Sequence, residues 1–288
     1  MNAAIIGTGF LGEQIYKDLL PIREEIILTH HKNKKYPDSK EFDFFKDDIG
    51  NILNGKKIDT VFLSAKIEFE EDEKKLEESM TRFLNSCKDS RVIYISSDGI
   101  FEGESGLYKE SDTPHPVTLY GKNLELCEEL VKKYSENYCI VRPSYMYGFV
   151  DSHLDSRFEK IKRDIVEGKK ISRFTDMYKS PLSYQQASEA IVKLAMSDYK
   201  GIVHVCGERK SVYDFTKEGM EALGISTENL IGEPMPKEKP VDFLLDTSLD
   251  NSLMCELTGI QPLSVKESFE SLMPKMVDTN ALPKKYLR

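Results

Sequence analysis

The segment Asn2-Ala-Ala-Ile-Ile-Gly-Thr-Gly-Phe-Leu-Gly12 restricts the fold more than any other in this chain: an apolar strand runs directly into a Gly-x-Gly-x-x-Gly turn that opens an amphipathic helix. Each glycine of such a turn has a physical task. Gly7 allows the tight turn, Gly9 lets the backbone approach a pyrophosphate, and Gly12 lets helix and strand pack closely. The helix start adds unpaired N–H groups and a partial positive charge. Leu11, Ile15, Leu19 and Leu20 give that helix an apolar face to bury. A strand before and a helix after separate this motif from a glycine turn that binds nothing. Gly7, Thr8, Gly9, Phe10, Leu11 and Gly12 are therefore expected to hold a dinucleotide.

Apolar, strand-like runs recur at 2–6, 25–29, 60–65, 91–96 and 138–142, and helical or charged segments separate them, read at about 11–20, 48–54, 73–88 and 119–134. That alternation predicts an α/β fold, a doubly wound parallel sheet of the Rossmann type. After Gly148 the pattern loosens into helices near 153–167 and 183–196, strands near 170–174 and 201–206, and further helical portions at 212–223 and 264–273. The expected division is a dinucleotide-binding domain over 1–148 that also receives about 182–207, with 149–181 and 208–288 forming a smaller C-terminal substrate lobe. The acidic stretch from Glu68 to Glu78 reads as a solvated helix face.

The chain has 288 residues and a formal net charge of −9, which disfavours a nucleic-acid or anionic-membrane surface and points to small-molecule partners. The apolar opening segment is too short for a leader or a membrane span and is needed as the first strand, so a cytoplasmic location is expected. Five cysteines, Cys87, Cys127, Cys139, Cys206 and Cys255, are odd in number and widely spaced, which suits reduced core thiols. Metal-ligand spacing is absent, and no metal is expected.

In a site for NAD an acidic residue about 20 positions beyond the glycines binds the ribose diol. Here the second strand ends in Leu28-Thr-His-His-Lys-Asn33. A 2′-phosphate would meet His30, His31 and Lys32 instead of a repelling carboxylate, which favours NADP over NAD. The other reading of these residues is a plain polar turn. Asp43 is a candidate acceptor for the adenine amino group. Ser64 and Ala65 end a strand with small side chains where backbone must pass close to a cofactor.

The strand Arg91-Val-Ile-Tyr-Ile-Ser-Ser-Asp98 ends in hydroxyls, and Tyr120 opens a helix at Leu119-Tyr-Gly-Lys. With these residues the chain resembles the extended short-chain dehydrogenase/reductases, in particular the dTDP-4-dehydrorhamnose reductase-like branch. The resemblance runs over almost the whole length. It rests on the Gly7-Gly9-Gly12 turn, Ile95-Ser-Ser-Asp98 with Phe101 and Gly103, Tyr120-Gly121, Arg142-Pro-Ser-Tyr-Met-Tyr-Gly148, Ser180-Pro-Leu-Ser-Tyr184, Gly201 to His204, and Leu245-Asp-Thr-Ser248.

The resemblance implies that Tyr120 carries the reacting proton and that Ser97 hydrogen-bonds the substrate oxygen. It places Pro143 beside the nicotinamide with Tyr145 or Tyr147 packing nearby, and Asp98 and Tyr145 on the substrate side; Arg157, from its place on the second-lobe helix, is a candidate to pair with a substrate diphosphate. Asp176, Lys179 and Tyr184 are further substrate-side candidates. The family's lysine four residues after the tyrosine is missing, because that position is Leu124. Lys122 lies about 200° around the helix from Tyr120 and should not replace it. The family's tyrosine two positions after the serine is Gly99. A phenol at its ordinary pKa near 10 lies about 4 kcal/mol from ionisation at neutral pH, which penalises chemistry needing tyrosinate more than simple proton donation.

The implied function is NADP-dependent reduction of a nucleotide-linked 4-keto sugar, with a homodimer as the assembly found in related folds. Alternatives are an impaired NADP-binding regulatory or scaffolding subunit, like the regulatory β subunit of methionine adenosyltransferase, and a nucleotide-sugar epimerase or dehydratase. A redox sensor reporting the NADPH/NADP ratio is a third.

Overall fold

The computed structural model of the protein describes residues 2–277 apart from 24, 151, 152 and 239–242. Seven strands form one sheet: β1 (Ala3–Ile6), β2 (Ile26–His30), β3 (Lys40–Glu41), β4 (Thr60–Leu63), β5 (Arg91–Ile95), β6 (Tyr138–Pro143) and β7 (Gly201–Val205). Their spatial order is β7-β6-β5-β4-β1-β2-β3, and every neighbouring pair is parallel. The order reverses between β1 and β4, so a crevice opens at their carboxyl ends, where such sheets bind ligands.

Apart from the edge strand β3, which is charged and exposed, the strands are largely apolar on both faces because helices cover both. Ala3 and Ile5 point toward α1 (Phe10–Leu19) with Leu11, Ile15 and Leu19, and share that core with Ala187, Ala190 and Ile191 of α6 (Tyr184–Met196). Ala4 and Ile6 point the other way, where α2 (Ile49–Leu53), α3 (Glu73–Ser86) and α4 (Leu119–Tyr134) contribute Leu53, Leu76, Phe83, Cys127 and Val131. Leu20 departs from the expected apolar face of α1: it has left the helix for a 3-10 turn and is 52% exposed.

A separate core lies beyond Gly148. There α5 (Ser156–Val166), α7 (Val212–Ala222) and α9 (Val265–Val277) gather Tyr147, Phe158, Phe215, Met220 and Phe269. Gly219 permits the approach, since a β-carbon on it would stand 2.2 Å from the Phe158 ring. The expected assignment of all of 208–288 to this lobe needs correction. Helix α8 (Ser252–Thr258) packs back on α6 and β7, and Met254 and Ile260 belong to the first core. Residues 278–288 of that expectation lie outside the described residues. Among the described residues no helix is long and apolar enough to cross a membrane.

One ion pair is built into the first core. Arg142 at the end of β6 donates to both oxygens of Glu128 on α4, at 2.8 and 2.7 Å, and Ser96 adds a third hydrogen bond at 2.7 Å. Both charged side chains are 1% exposed, so full pairing is what makes their burial tolerable.

Candidate functional site

The glycine turn has the expected shape for distinct reasons at each position. Gly7 has φ +93°, and a β-carbon on it would stand 2.8 Å from the backbone of Ala65, so the smallness of Gly7 and Ala65 lets β1 and β4 end side by side. A β-carbon on Gly12 would stand 2.1 Å from the carbonyl oxygen of Gly7, which confirms the close helix–strand contact. Gly9 faces open space and precedes α1, whose start no side chain caps. Its amide dipoles thus point into the crevice, which suits an anionic pyrophosphate. Thr8 turns away, donating to the Thr29 carbonyl at 3.3 Å.

A cavity of about 590 Å³ extends from this turn along the strand ends. Gly9, Phe10, Leu11, Ser64 and Ala65 form one wall, and Ser97, Asp98, Tyr120, Pro143 and Tyr145 form another. Arg157, from α5 of the second lobe, also lines it. Phe10 stacks on Tyr184 at 5.4 Å and closes the floor between α1 and α6.

The Ser97–Tyr120 pair is positioned by two local caps. Ser97 precedes the 3-10 turn Asp98–Ile100; its Oγ accepts from Gly99 N at 3.2 Å and donates to Asp98 at 3.1 Å. Thr118 caps α4 by accepting from Gly121 N at 3.0 Å, which sets Tyr120 in the first turn. The Tyr120 ring stacks on Phe69, centroids 4.8 Å apart. Burial, reinforced by the negative charge of Glu68, pushes the Tyr120 phenol well above its ordinary value, with the Ser97 hydroxyl pulling the other way. The phenol therefore keeps its proton at neutral pH. Lys122 is exposed, and Leu124 is fully buried with Ile100, Phe101, Cys206 and Leu249.

Several expectations are corrected here. His30 is buried and hydrogen-bonded through Nδ1 to Ser39 at 2.8 Å, so it is turned from the surface where His31 and Lys32 are exposed. Asp43 lies outside the cavity; its carboxylate binds Lys46 at 2.8 Å and accepts from Phe45 N at 3.1 Å, with His31 at 3.7 Å. Asp98 points inward, taking Thr247 at 2.6 Å, Lys179 at 3.0 Å and Ser144 at 3.2 Å on one oxygen. It therefore ties the end of β5 to the C-terminal segments, and Lys179 reaches the cavity wall as the partner of that carboxylate. Asp176 instead accepts from Met235 N at 2.8 Å. Tyr147 is fully buried in the second core, which leaves Tyr145 as the aromatic of that segment in the cleft.

Arg157 lies 3.7 Å above the Tyr145 ring and donates to the Met146 carbonyl, with Asp155 at 3.6 Å and nearly half of its side chain exposed. The expected solvated helix face from Glu68 to Glu78 is corrected at Glu68, whose place in the site the sequence did not show. Far from solvated, it is 3% exposed, lines the cavity, and accepts from the Tyr94 hydroxyl at 2.7 Å. Its flanking residues, Ile67 and Phe69, were the available signal, since an acid set between apolar residues just after a strand departs from the run that follows.

The chain is 28% identical over 230 residues to the spore coat polysaccharide biosynthesis protein SpsK of Bacillus subtilis, covering 76% of this chain and 78% of that one. Its fold superposes on a hypothetical dTDP-4-dehydrorhamnose reductase from Sulfolobus tokodaii with a TM-score of 0.77, 25% identity, and 92% and 98% of the two chains covered. A dTDP-4-dehydrorhamnose reductase from Bacillus anthracis in complex with NADP superposes with a TM-score of 0.76 at 20% identity, over 95% and 99% of the chains. The profile of the RmlD substrate binding domain matches residues 70–276, spanning β5, the Ser97–Tyr120 pair and the second core, and the chain belongs to that family.

Proposed function

We propose that this protein is a nicotinamide-dependent oxidoreductase that reduces a nucleotide-linked 4-keto sugar, with NADP preferred to NAD. The observation that carries the reading is the shared cavity: Ser97 and Tyr120 face it from one side, and the uncapped start of α1 faces it from the other. The relatives named as dTDP-4-dehydrorhamnose reductases, one of them holding NADP, support the same chemistry.

In this reading Gly9, Phe10 and Leu11 offer backbone N–H groups to the pyrophosphate, and Ala65 and Pro143 bound the nicotinamide end. The reduced nicotinamide supplies a hydride for the carbonyl carbon. Ser97 holds the carbonyl oxygen by a hydrogen bond, and Tyr120 gives that oxygen its proton. A phenol held neutral by burial suits donation; it does not suit the reverse oxidation, which argues for a reductase over an epimerase or dehydratase. The second lobe, with Arg157 lining the cavity, takes the nucleotide-sugar diphosphate.

The test is parallel calorimetric titration with NADPH, NADP, NADH and NAD, followed by absorbance loss of bound NADPH with dTDP-4-dehydrorhamnose. Tight NADPH binding with turnover is expected. Binding without turnover against a panel of nucleotide 4-keto sugars overturns the enzyme reading in favour of a regulatory subunit.

A further inference from the structure

Glu68 is fixed to the same helix that carries Tyr120. Asn123, three residues after Tyr120 on α4, donates to the carbonyls of Glu68 at 2.9 Å and of Glu70 at 2.8 Å. Phe69, between them, lies flat on the Tyr120 ring with the planes 21° apart. The Glu68 carboxyl is turned inward to Tyr94 on β5, and the cavity that it lines is the one that Ser97 and Tyr120 face. Three residues in a row are thus clamped so that an acid, not a solvated loop, walls the cleft.

The charges around it are few. Tyr94 on β5 and Cys127 on α4 are both held neutral by burial, and Tyr120 is neutral for the same reason. The pull that draws Glu68 down comes first from the Tyr94 hydrogen bond, then from the local backbone, with Lys66 of the same segment last. Burial outweighs it and pushes the Glu68 carboxyl up to about 7, so at neutral pH it both holds a proton and releases one.

We propose that Glu68 resupplies the proton that Tyr120 donates, relayed by water in the cleft, in place of the cation that the position of Leu124 does not provide. The proposal rests on the reductase reading. As the substrate oxygen takes the proton of the Tyr120 hydroxyl, the O–H bond of the Glu68 carboxyl breaks and an O–H bond re-forms on Tyr120. Glu68 is left as a carboxylate and regains its proton from solvent. No oxidant or reductant enters this step. Glu68 acts through Tyr120, and does not itself touch substrate.

Two measurements test it. In protein carrying carbon-13 glutamate, the Glu68 carboxyl resonance, identified by its loss in Glu68→Gln, is expected to titrate near 7. Titration together with the surface glutamates overturns the proposal without reference to activity. With NADPH and dTDP-4-dehydrorhamnose, kcat of the unaltered protein is expected to fall as pH rises through that same midpoint. Glu68→Gln, which keeps the shape and the acceptor for Tyr94, is expected to lower kcat about tenfold and flatten the profile, with KM changed by less than about twofold. Turnover indifferent to Glu68→Gln sinks this proposal alone. No turnover by the unaltered protein sinks the reductase reading and this role with it.

Discussion

Gly99 lies directly under the Tyr120 ring: a β-carbon at Gly99 would stand 3.0 Å from Cε1 and 3.2 Å from Cδ1 of that ring, and 3.7 Å from Leu124 Cδ1. The two departures from the family pattern are therefore one packing arrangement. Glycine at 99 makes room for the Tyr120 ring, and leucine at 124 fills the apolar side beneath it. Restoring a lysine at 124 would put an ammonium group into the cluster of Ile100, Phe101, Cys206 and Leu249. Leu124→Lys is expected to cost roughly 3 kcal/mol of stability or more and to give no gain in reductase rate. Urea unfolding and steady-state kinetics check both parts. A rate raised about tenfold would show that the site lacks only its cation.

Most of the frame was legible because its signals are local. Apart from the two-residue edge strand β3, the strands of the sheet are short apolar runs, and the glycine turn has one spacing. The orientation of polar side chains was not legible. His30, His31 and Lys32 are adjacent in sequence, but β2 ends at His30, so its side chain is packed against Ser39 while the next two project outward. Asp98 is drawn inward by Lys179 and Thr247, which are remote in sequence. Glu68 was lost in the opposite way, because composition averaged over an acidic run conceals a single buried member.

That inward turn of His30 narrows the origin of any preference for a 2′-phosphate to His31 and Lys32. Lys32→Ala is expected to weaken NADPH binding about tenfold, the worth of one charge-assisted hydrogen bond, and to leave NADH affinity within about twofold. Calorimetry with both cofactors decides. Equal loss for both would mean that Lys32 supports the loop and not the phosphate.

The Arg142–Glu128 pair predicts a large and purely structural effect at the start of a segment that the family resemblance implies runs beside the cofactor. Glu128→Gln leaves a guanidinium that is 1% exposed without its counter-charge. A loss of about 3–5 kcal/mol is expected, read by denaturant unfolding. Replacing the pair together with apolar residues of similar volume should recover most of it. Little loss from Glu128→Gln would show that Ser96 and solvent satisfy the arginine.

Glu68 ties stability to pH with a definite sign. Burial raises its folded pKa from the usual 4.5 to about 7, so between these values the folded protein binds more protons than the unfolded chain. Its contribution is fully present below 4.5 and is lost as pH rises to 7, because the unfolded chain ionises first. The whole span is worth about 3 kcal/mol at 1.36 kcal/mol per pKa unit. Glu68→Gln does not titrate, so the difference in unfolding free energy between variant and unaltered protein should move in favour of the variant by about that amount from pH 4.5 to pH 8. Urea unfolding of both proteins across this range measures it directly. A difference that stays flat with pH would mean that Glu68 is ionised in the folded protein as readily as in the unfolded chain, and that its burial is relieved by water or by Lys66.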